Sequence, residues 1–346
     1  MGTGLLQTSS YNSQASHPGG RRYFVMRARA LLTLFGLVCL CLAASCNRST
    51  KKRIGVVPKA VAHVFWQSVH AGAAAAGQEA DVDIEWKGPP TETDFSRQIE
   101  IVDAMINARV DGIVLAPTSA ESLIHVVERA AREGIPVAIF DSGVNTEQYV
   151  SFVATNNYDA GAMAARELGR IIEGKGTITV IKIVAGSAST MQREQGFAET
   201  LAAEFPDISI VDEQYCNSDR AKALSVAENM LTAHPDLDAI FASAEPATVG
   251  AAQAIKSREL AGKVRLMGFD SSESIEKSLR EGVIDALVVQ DPFNIGYEAV
   301  RSVVASLQGE TPPKRIDSPA AVVTIENVDT PEIDKLLHPD LERYLQ

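Results

Sequence analysis

The sequence predicts an α/β protein built on parallel sheets, and three observations carry that reading. From residue 53 onward, short β-branched runs alternate with longer segments of helical spacing, the pattern of strands joined by right-handed helical crossovers. Glycines punctuate the changeovers, in "REGIP" (132–136) and "IEGKG" (172–176), just past a last helical turn and before a new strand. An Asp-Ser pair recurs where an apolar run gives way to a loop, in "IFDSG" (139–143) and "GFDSS" (268–272). That echo predicts two similar halves rather than one continuous sheet.

The expected strands are, in order, "RIGVV", "VDIEW", "DGIVLA", "IPVAIF", "SFVAT", "GTITVIKIV", "ISIVDEQY", "DAIFAS", "VRLMGF" and "IDALVVQ". Between them, spacings such as Ile99, Val102, Met105, Ile106 and Leu123, Val126, Val127, Ala130 put apolar side chains on one helix face. In open parallel sheets the ligand crevice lies beyond the carboxyl ends of the strands, which is where Asp141 and Asp270 fall. Read alone, each serves equally as a cap for the next helix. "HVFWQSVHAG" (63–72) sets Phe65 and Trp66 at the first strand-to-helix turn, either as a plug for the core or as a stacking surface.

The chain has 346 residues, a formal net charge of −12 and 46% hydrophobic residues, a globular composition with room for two domains. No basic stripe points to nucleic acid. Residues 1–25 read as a disposable extension. From Met26, "MRARALLTLFGLVCLCLAASC" has the basic start, apolar run and small residues of an export signal (26–45). Its apolar run of about 15 residues falls short of the ~20 that span a bilayer. Ala43, Ala44 and Ser45 before Cys46 resemble a bacterial lipobox, which implies lipidation of Cys46, with residues 46–52 as a linker. Of the four cysteines, Cys39 and Cys41 fall in the signal, leaving Cys216 alone in the exported domain and no disulfide framework.

The motifs of several chemistries are missing from the sequence. There is no GxGxxG after the first strand, no Walker spacing in "EGKGT", no HExxH or paired-cysteine metal site, and no GxSxG elbow around Ser187 and Ser189. His63 and His70 stand two helical turns apart and read as a solvated face. No enzyme activity, metal or cofactor is expected.

An ordered set of segments carries a resemblance: "FWQSVHAG", "DGIVLAPTSAESL", "IPVAIFDS", "VATNNYDAG", "GSASTMQREQGF", "LTAHPDLDAIFA", "LMGFD" and "VVQDPFNIGYEAV". Across nearly the whole exported chain it resembles the sugar-binding periplasmic proteins of ABC importers, of the ribose-binding type, whose fold is shared with the effector domain of LacI-type repressors. The resemblance implies the type I periplasmic binding protein fold, two Rossmann-like parallel-sheet lobes joined by a three-segment hinge. The N-terminal lobe is then 53–155 and 291–318, the C-terminal lobe 156–290 and 319–326, and residues 327–346 form a tail.

The resemblance also implies a site. Phe65 and Trp66 match aromatics that flank the sugar ring, and Asp141, Arg193, Asp270 and Gln290 match its hydrogen-bonding residues. Charged partners suit a hydroxyl rim, since a carboxylate accepts from two hydroxyls and a guanidinium fork donates to two. The chain departs from the family at Ser142, Ser218 and Ala244, the last followed by Glu245, and carries His63 and Lys59 in place of an asparagine and a serine. These changes put ribose in doubt and open the cleft to a hexose, a polyol, or a sugar acid paired to Lys59. The function implied is capture of a monosaccharide by hinge closure and delivery to an ABC permease and ATPase, by a monomer lipid-anchored in the cell envelope. The alternatives are a sensor presenting a sugar or autoinducer to a membrane receptor, and an exported enzyme using the same cleft.

Overall fold

The computed structural model describes residues 51–345. The expected extension, export signal and Cys46 lie outside them. The described chain runs β1 (Arg53–Val57), α1 (Val64–Glu79), β2 (Asp83–Trp86), α2 (Phe95–Asn107), β3 (Gly112–Leu115), α3 (Ile124–Arg132), β4 (Val137–Phe140) and β5 (Ser151–Thr155). It continues through α4 (Asn157–Ile171), β6 (Lys175–Lys182), α5 (Ala188–Glu204), β7 (Asp207–Tyr215), α6 (Arg220–Ala233), β8 (Ala239–Ala242), α7 (Glu245–Ser257), β9 (Arg265–Phe269), α8 (Glu273–Arg280) and β10 (Ala286–Gln290). It then closes with α9 (Pro292–Leu307), β11 (Arg315–Ser318), β12 (Ala320–Thr324) and α10 (Pro331–Leu337).

Two six-stranded sheets result, in the orders β11-β5-β4-β3-β1-β2 and β12-β10-β9-β8-β6-β7. Every pairing is parallel except β10 with β12. Strands β3, β4, β8 and β10 are buried along their whole length, as central parallel strands covered on both faces must be. Each sheet carries an apolar cluster on either side: one built around Val56, Val114 and Phe140 and one around Leu115, Ile113 and Ile139 in the first lobe, with counterparts around Phe241 and Phe269 and around Ile240 and Leu266 in the second. The chain passes between lobes after β5, after β10 and between β11 and β12.

The predicted stops hold in detail. Gly134 and Gly174 follow α3 and α4 with φ of 78° and 75°, the left-handed turn that glycine adopts without strain. Two elements differ from the sequence reading. β11 ("RIDS") is a short edge strand whose alternating polar residues gave no apolar run to recognise. The segment from 327, read as a short tail packed on a lobe, is in part a helix, α10, and supplies Val328 and Ile333 to the second lobe's core.

The lobes repeat one packing device. A Cβ on Gly72 of α1 would lie 1.9 Å from the Phe293 carbonyl oxygen on α9, and one on Gly296 would lie 2.1 Å from that of Val69. In the second lobe Gly161 of α4 and Gly196 of α5 sit equally close to the carbonyls of Arg193 and Tyr158, at 1.9 and 2.0 Å. In both pairs the backbones touch where no side chain fits. Gly161→Val is therefore expected to destabilise the protein by about 3 kcal/mol, in the range of core overpacking. Urea unfolding checks this, and unchanged stability would contradict the close helix contact.

Candidate functional site

Asp141 and Asp270 occupy equivalent places, one residue beyond β4 and one beyond β9. Both have left-handed backbones, with φ of 58° and 65°, and both amides reach back to the neighbouring strand, Asp141 to Val153 at 2.9 Å and Asp270 to Val288 at 2.8 Å. That conformation costs a non-glycine residue about 1–2 kcal/mol, and aspartate is among the residues that tolerate it. Neither caps the helix that follows. Ser272 caps α8 by accepting from Ile275, and after Asp141 the chain runs to β5 before any helix begins. The two carboxylates instead turn into a cavity of about 40 Å³ between the lobes.

Around Asp141, Lys59 is 2% exposed. Its ammonium lies 2.7 Å from Asp141 Oδ2 and donates to Ser187 Oγ at 3.1 Å and Ser189 Oγ at 2.8 Å. Lys59 and Asp141 belong to the first lobe and the two serines to the second, so this network crosses the cleft. Ser142, fully buried, adds another crossing by accepting from the Ser189 amide at 3.1 Å. His63 makes a third, with Nε2 3.5 Å from Ser218 Oγ and Nδ1 3.6 Å from Glu245. Glu245 also forms an ion pair with Arg220.

Around Asp270, Gln290 Nε2 donates at 2.7 Å and the Glu245 amide at 3.3 Å. Arg193 is the largest fully buried side chain of the chain's described part. Its guanidinium stacks 3.5 Å from the Phe269 ring centre, donates to Ser243 O at 2.5 Å and donates to Asn157 Oδ1 at 2.8 Å. Burial pushes the Asp270 carboxyl above its ordinary range, opposed chiefly by Arg193 and then by Gln290, and burial lowers Arg193 from its own ordinary value. Both charged forms gain from a ligand that supplies hydrogen bonds in place of water. Two of the residues lining this cavity, each 2% exposed, carry a buried polar atom with no partner: Arg193 Nε, a donor, and Gln290 Oε1, an acceptor. Unsatisfied buried polar atoms are rare in native proteins.

Phe65 and Trp66 line the cavity, but not as two faces around a ring. Their rings meet edge to face at 4.9 Å, whereas a sugar sandwiched between parallel aromatics needs about 7–8 Å, twice a carbon–carbon contact. Trp66 is 3% exposed, packs edge-on against Phe140 at 6.2 Å and donates Nε1 to Glu92 at 3.1 Å. The pair forms one wall of the cavity, and Trp66 also plugs the core.

The sequence reading missed Glu92, Asn157, Ser189 and Phe269. Three of the segments that carry the resemblance held a signal, since "VATNNYDAG" contains Asn157, "GSASTMQREQGF" contains Ser189 and "LMGFD" contains Phe269, whereas Glu92 lies outside all of them. Lys59, expected to be open to a sugar acid, has its three donors engaged in the closed cleft by Asp141, Ser187 and Ser189. His70, read with His63 as a solvated face, stacks on Trp86 at 4.4 Å, while His63 faces the cleft. Cys216 is buried, its thiol pushed up to about 11 by burial. Among the described residues no group of His, Cys, Asp and Glu is disposed to hold a metal ion.

Glu194, beside Arg193 on α5, accepts from Ser243 Oγ at 2.9 Å and the Ile183 amide at 3.3 Å, and burial raises its carboxyl to about 7. The folded chain thus holds a proton that the unfolded chain releases near pH 4.5. That contribution is fully present below pH 4.5 and is lost as pH rises through about 7, a loss of about 3 kcal/mol. Glu194→Gln is expected to flatten stability between pH 5 and 8 relative to the unaltered chain in denaturant titrations. Parallel pH profiles would contradict the assignment.

The periplasmic binding protein domain model matches residues 54–311. The D-ribose/D-allose-binding protein of Pseudomonas aeruginosa is 29% identical over 286 residues, 79% of this chain and 89% of that protein. Among solved structures, a carbohydrate transporter solute binding protein from Agrobacterium radiobacter in complex with D-arabinose aligns with a TM-score of 0.82 and 30% identity, covering 84% of this chain and all of that one. An ABC transporter solute binding protein from Agrobacterium vitis with bound D-fucose aligns with a TM-score of 0.81 and 34% identity, over 83% of this chain and 100% of that one.

Proposed function

The chain belongs to the periplasmic binding protein family, and from that premise we propose that it is an extracytoplasmic receptor that captures a neutral monosaccharide and delivers it to an ABC importer. Members of this family bind and release solutes, and the chain is a binding protein rather than an enzyme. The observation that carries the ligand reading is the pair of unpartnered, buried atoms on residues that line the cavity, Arg193 Nε and Gln290 Oε1. One donates and the other accepts, and a hydroxyl-bearing ligand answers both. Asp141 and Asp270 supply further acceptors and Phe65 an apolar wall, the combination that sugar recognition requires.

Charge supports a neutral ligand over an acidic one. Glu92, Asp141, Glu245 and Asp270 outnumber Lys59 and Arg193 among the lining residues, and a ligand carboxylate would compete for Lys59 with Asp141, Ser187 and Ser189. Mechanistically, the sugar joins the two lobes by bonding to both, which favours the closed state over the open one. The cavity of about 40 Å³ lies well below the ~300–1,000 Å³ of pockets that bury small organic ligands. Sugar entry therefore requires the lobes to part and the crossings at Lys59, Ser142 and His63 to yield. Transport is preferred to sensing because the relatives are described as sugar transporter binding proteins. The site residues are Phe65, Trp66, Asp141, Arg193, Asp270 and Gln290, with Lys59, His63 and Glu245 organising the closed cleft. Cys46 carries the lipid that holds a monomeric receptor at a membrane.

Isothermal titration against neutral pentoses, hexoses and polyols, with sugar acids as controls, tests the ligand class. A neutral sugar is expected to bind, the acids are not, and Asp270→Ala should weaken binding about 100-fold, the loss of a charged hydrogen bond worth about 2–3 kcal/mol. Binding of acids alone, or an unaffected Asp270→Ala variant, would overturn the reading. For the anchor, labelled palmitate fed to bacterial cells is expected to enter the protein and not its Cys46→Ala variant, and equal or absent labelling of the two would rule out lipidation at Cys46.

A further inference from the structure

Beside the polar cleft lies a second cavity, about 400 Å³ in volume. The two share Phe65, Asp270 and Gln290. Another wall of the larger one is the end of α10 together with the segment that follows it, through Leu337 and Leu341. That segment is tied to both lobes. Ile333 is buried in the second lobe's core, His338 Nε2 lies 2.9 Å from Glu276, and the Tyr344 ring sits 5.6 Å from that of Phe293 on α9 in the first lobe.

We propose that this cavity is a subsite of the cleft that receives an uncharged, apolar substituent carried by the sugar, so that the preferred ligands are glycosides with an alkyl or aryl aglycone. The proposal rests on the sugar-binding reading above and names its substrate class. Three features carry it. The volume falls within the ~300–1,000 Å³ of pockets that bury small organic ligands, whereas the polar cleft encloses a tenth as much. The cavity shares Phe65, Asp270 and Gln290 with the sugar cleft, and Gln290, whose Nε2 holds Asp270 and whose Oε1 is buried with no partner, stands at the boundary that a linkage from sugar to substituent would cross. The lining is largely apolar in surface, with Phe65, Leu337 and Leu341 contributing, and its three carboxylates Asp270, Glu273 and Glu276 outnumber His338, which is itself engaged by Glu276, so that a phosphate or carboxylate substituent is disfavoured.

The test is isothermal titration of the full chain with free D-arabinose, D-fucose and D-allose and with their methyl and phenyl glycosides, in both anomers. For the sugar that binds, the phenyl glycoside of one anomer is expected to bind at least tenfold more tightly than the methyl glycoside. Leu341→Glu, at a half-buried position that leaves the core intact, is expected to bring that ratio to about one. Free sugar binding with no phenyl advantage, or an advantage that survives Leu341→Glu, would overturn the subsite and leave the receptor function standing. Failure of every free sugar and every glycoside to bind would overturn both.

Discussion

The contact between Lys59 and Asp141 governs the cleft. Each side chain is almost wholly buried and the charges stand 2.7 Å apart. A charge taken out of water is tolerated only when paired and hydrogen-bonded, and Lys59 meets that condition by reaching Ser187 and Ser189 in the opposite lobe. The closed arrangement of the lobes is therefore written into the solvation of one ammonium group. Asp141 in turn is aimed inward by its left-handed backbone, which the hydrogen bond to Val153 fixes. The second lobe repeats the device with Asp270, held by Gln290 and the Glu245 amide and facing a guanidinium in place of an ammonium.

The two halves of the site are not equally satisfied. On the Asp141 side the protein supplies every donor that Lys59 can offer with an acceptor. On the Asp270 side the donor at Arg193 Nε and the acceptor at Gln290 Oε1 are left over. A ligand thus gains most of its new hydrogen bonds from the second lobe, while on the first it competes with bonds that already exist. Specificity follows from that difference: a ligand must offer hydroxyls toward Arg193 and Gln290 and must justify displacing the serines from Lys59. The closely packed helix pairs behind each sheet give the carboxylates and Arg193 rigid supports, so that closure moves lobes rather than reshaping the site.

Much of this was legible in the sequence. Asp141 and Asp270 could be placed at strand ends because apolar strands in parallel sheets are easily recognised, and the crevice lies at their carboxyl ends. Arg193 and Gln290 followed from the family's pattern. What was not legible depends on contacts between positions far apart in the chain. Lys59 meets Ser187 and Ser189 only when the lobes close, and Trp66 turns edge-on to Phe65 because Phe140 and Glu92 hold its ring. Phe269 reads as an ordinary strand residue until Arg193 is seen stacked on it. β11 is too short and polar to announce itself, and the final segment reads as a tail because only Val328 and Ile333 among its residues enter the core.

The central claim is that one ligand bonds to both lobes at once. Hydrogen exchange of the backbone amides, measured with and without a saturating neutral sugar, tests it most directly. The account predicts simultaneous protection of the first lobe around 59–66 and 141–142 and of the second around 187–193, 243–245 and 270. Protection confined to one lobe, or lying away from these segments, would contradict it.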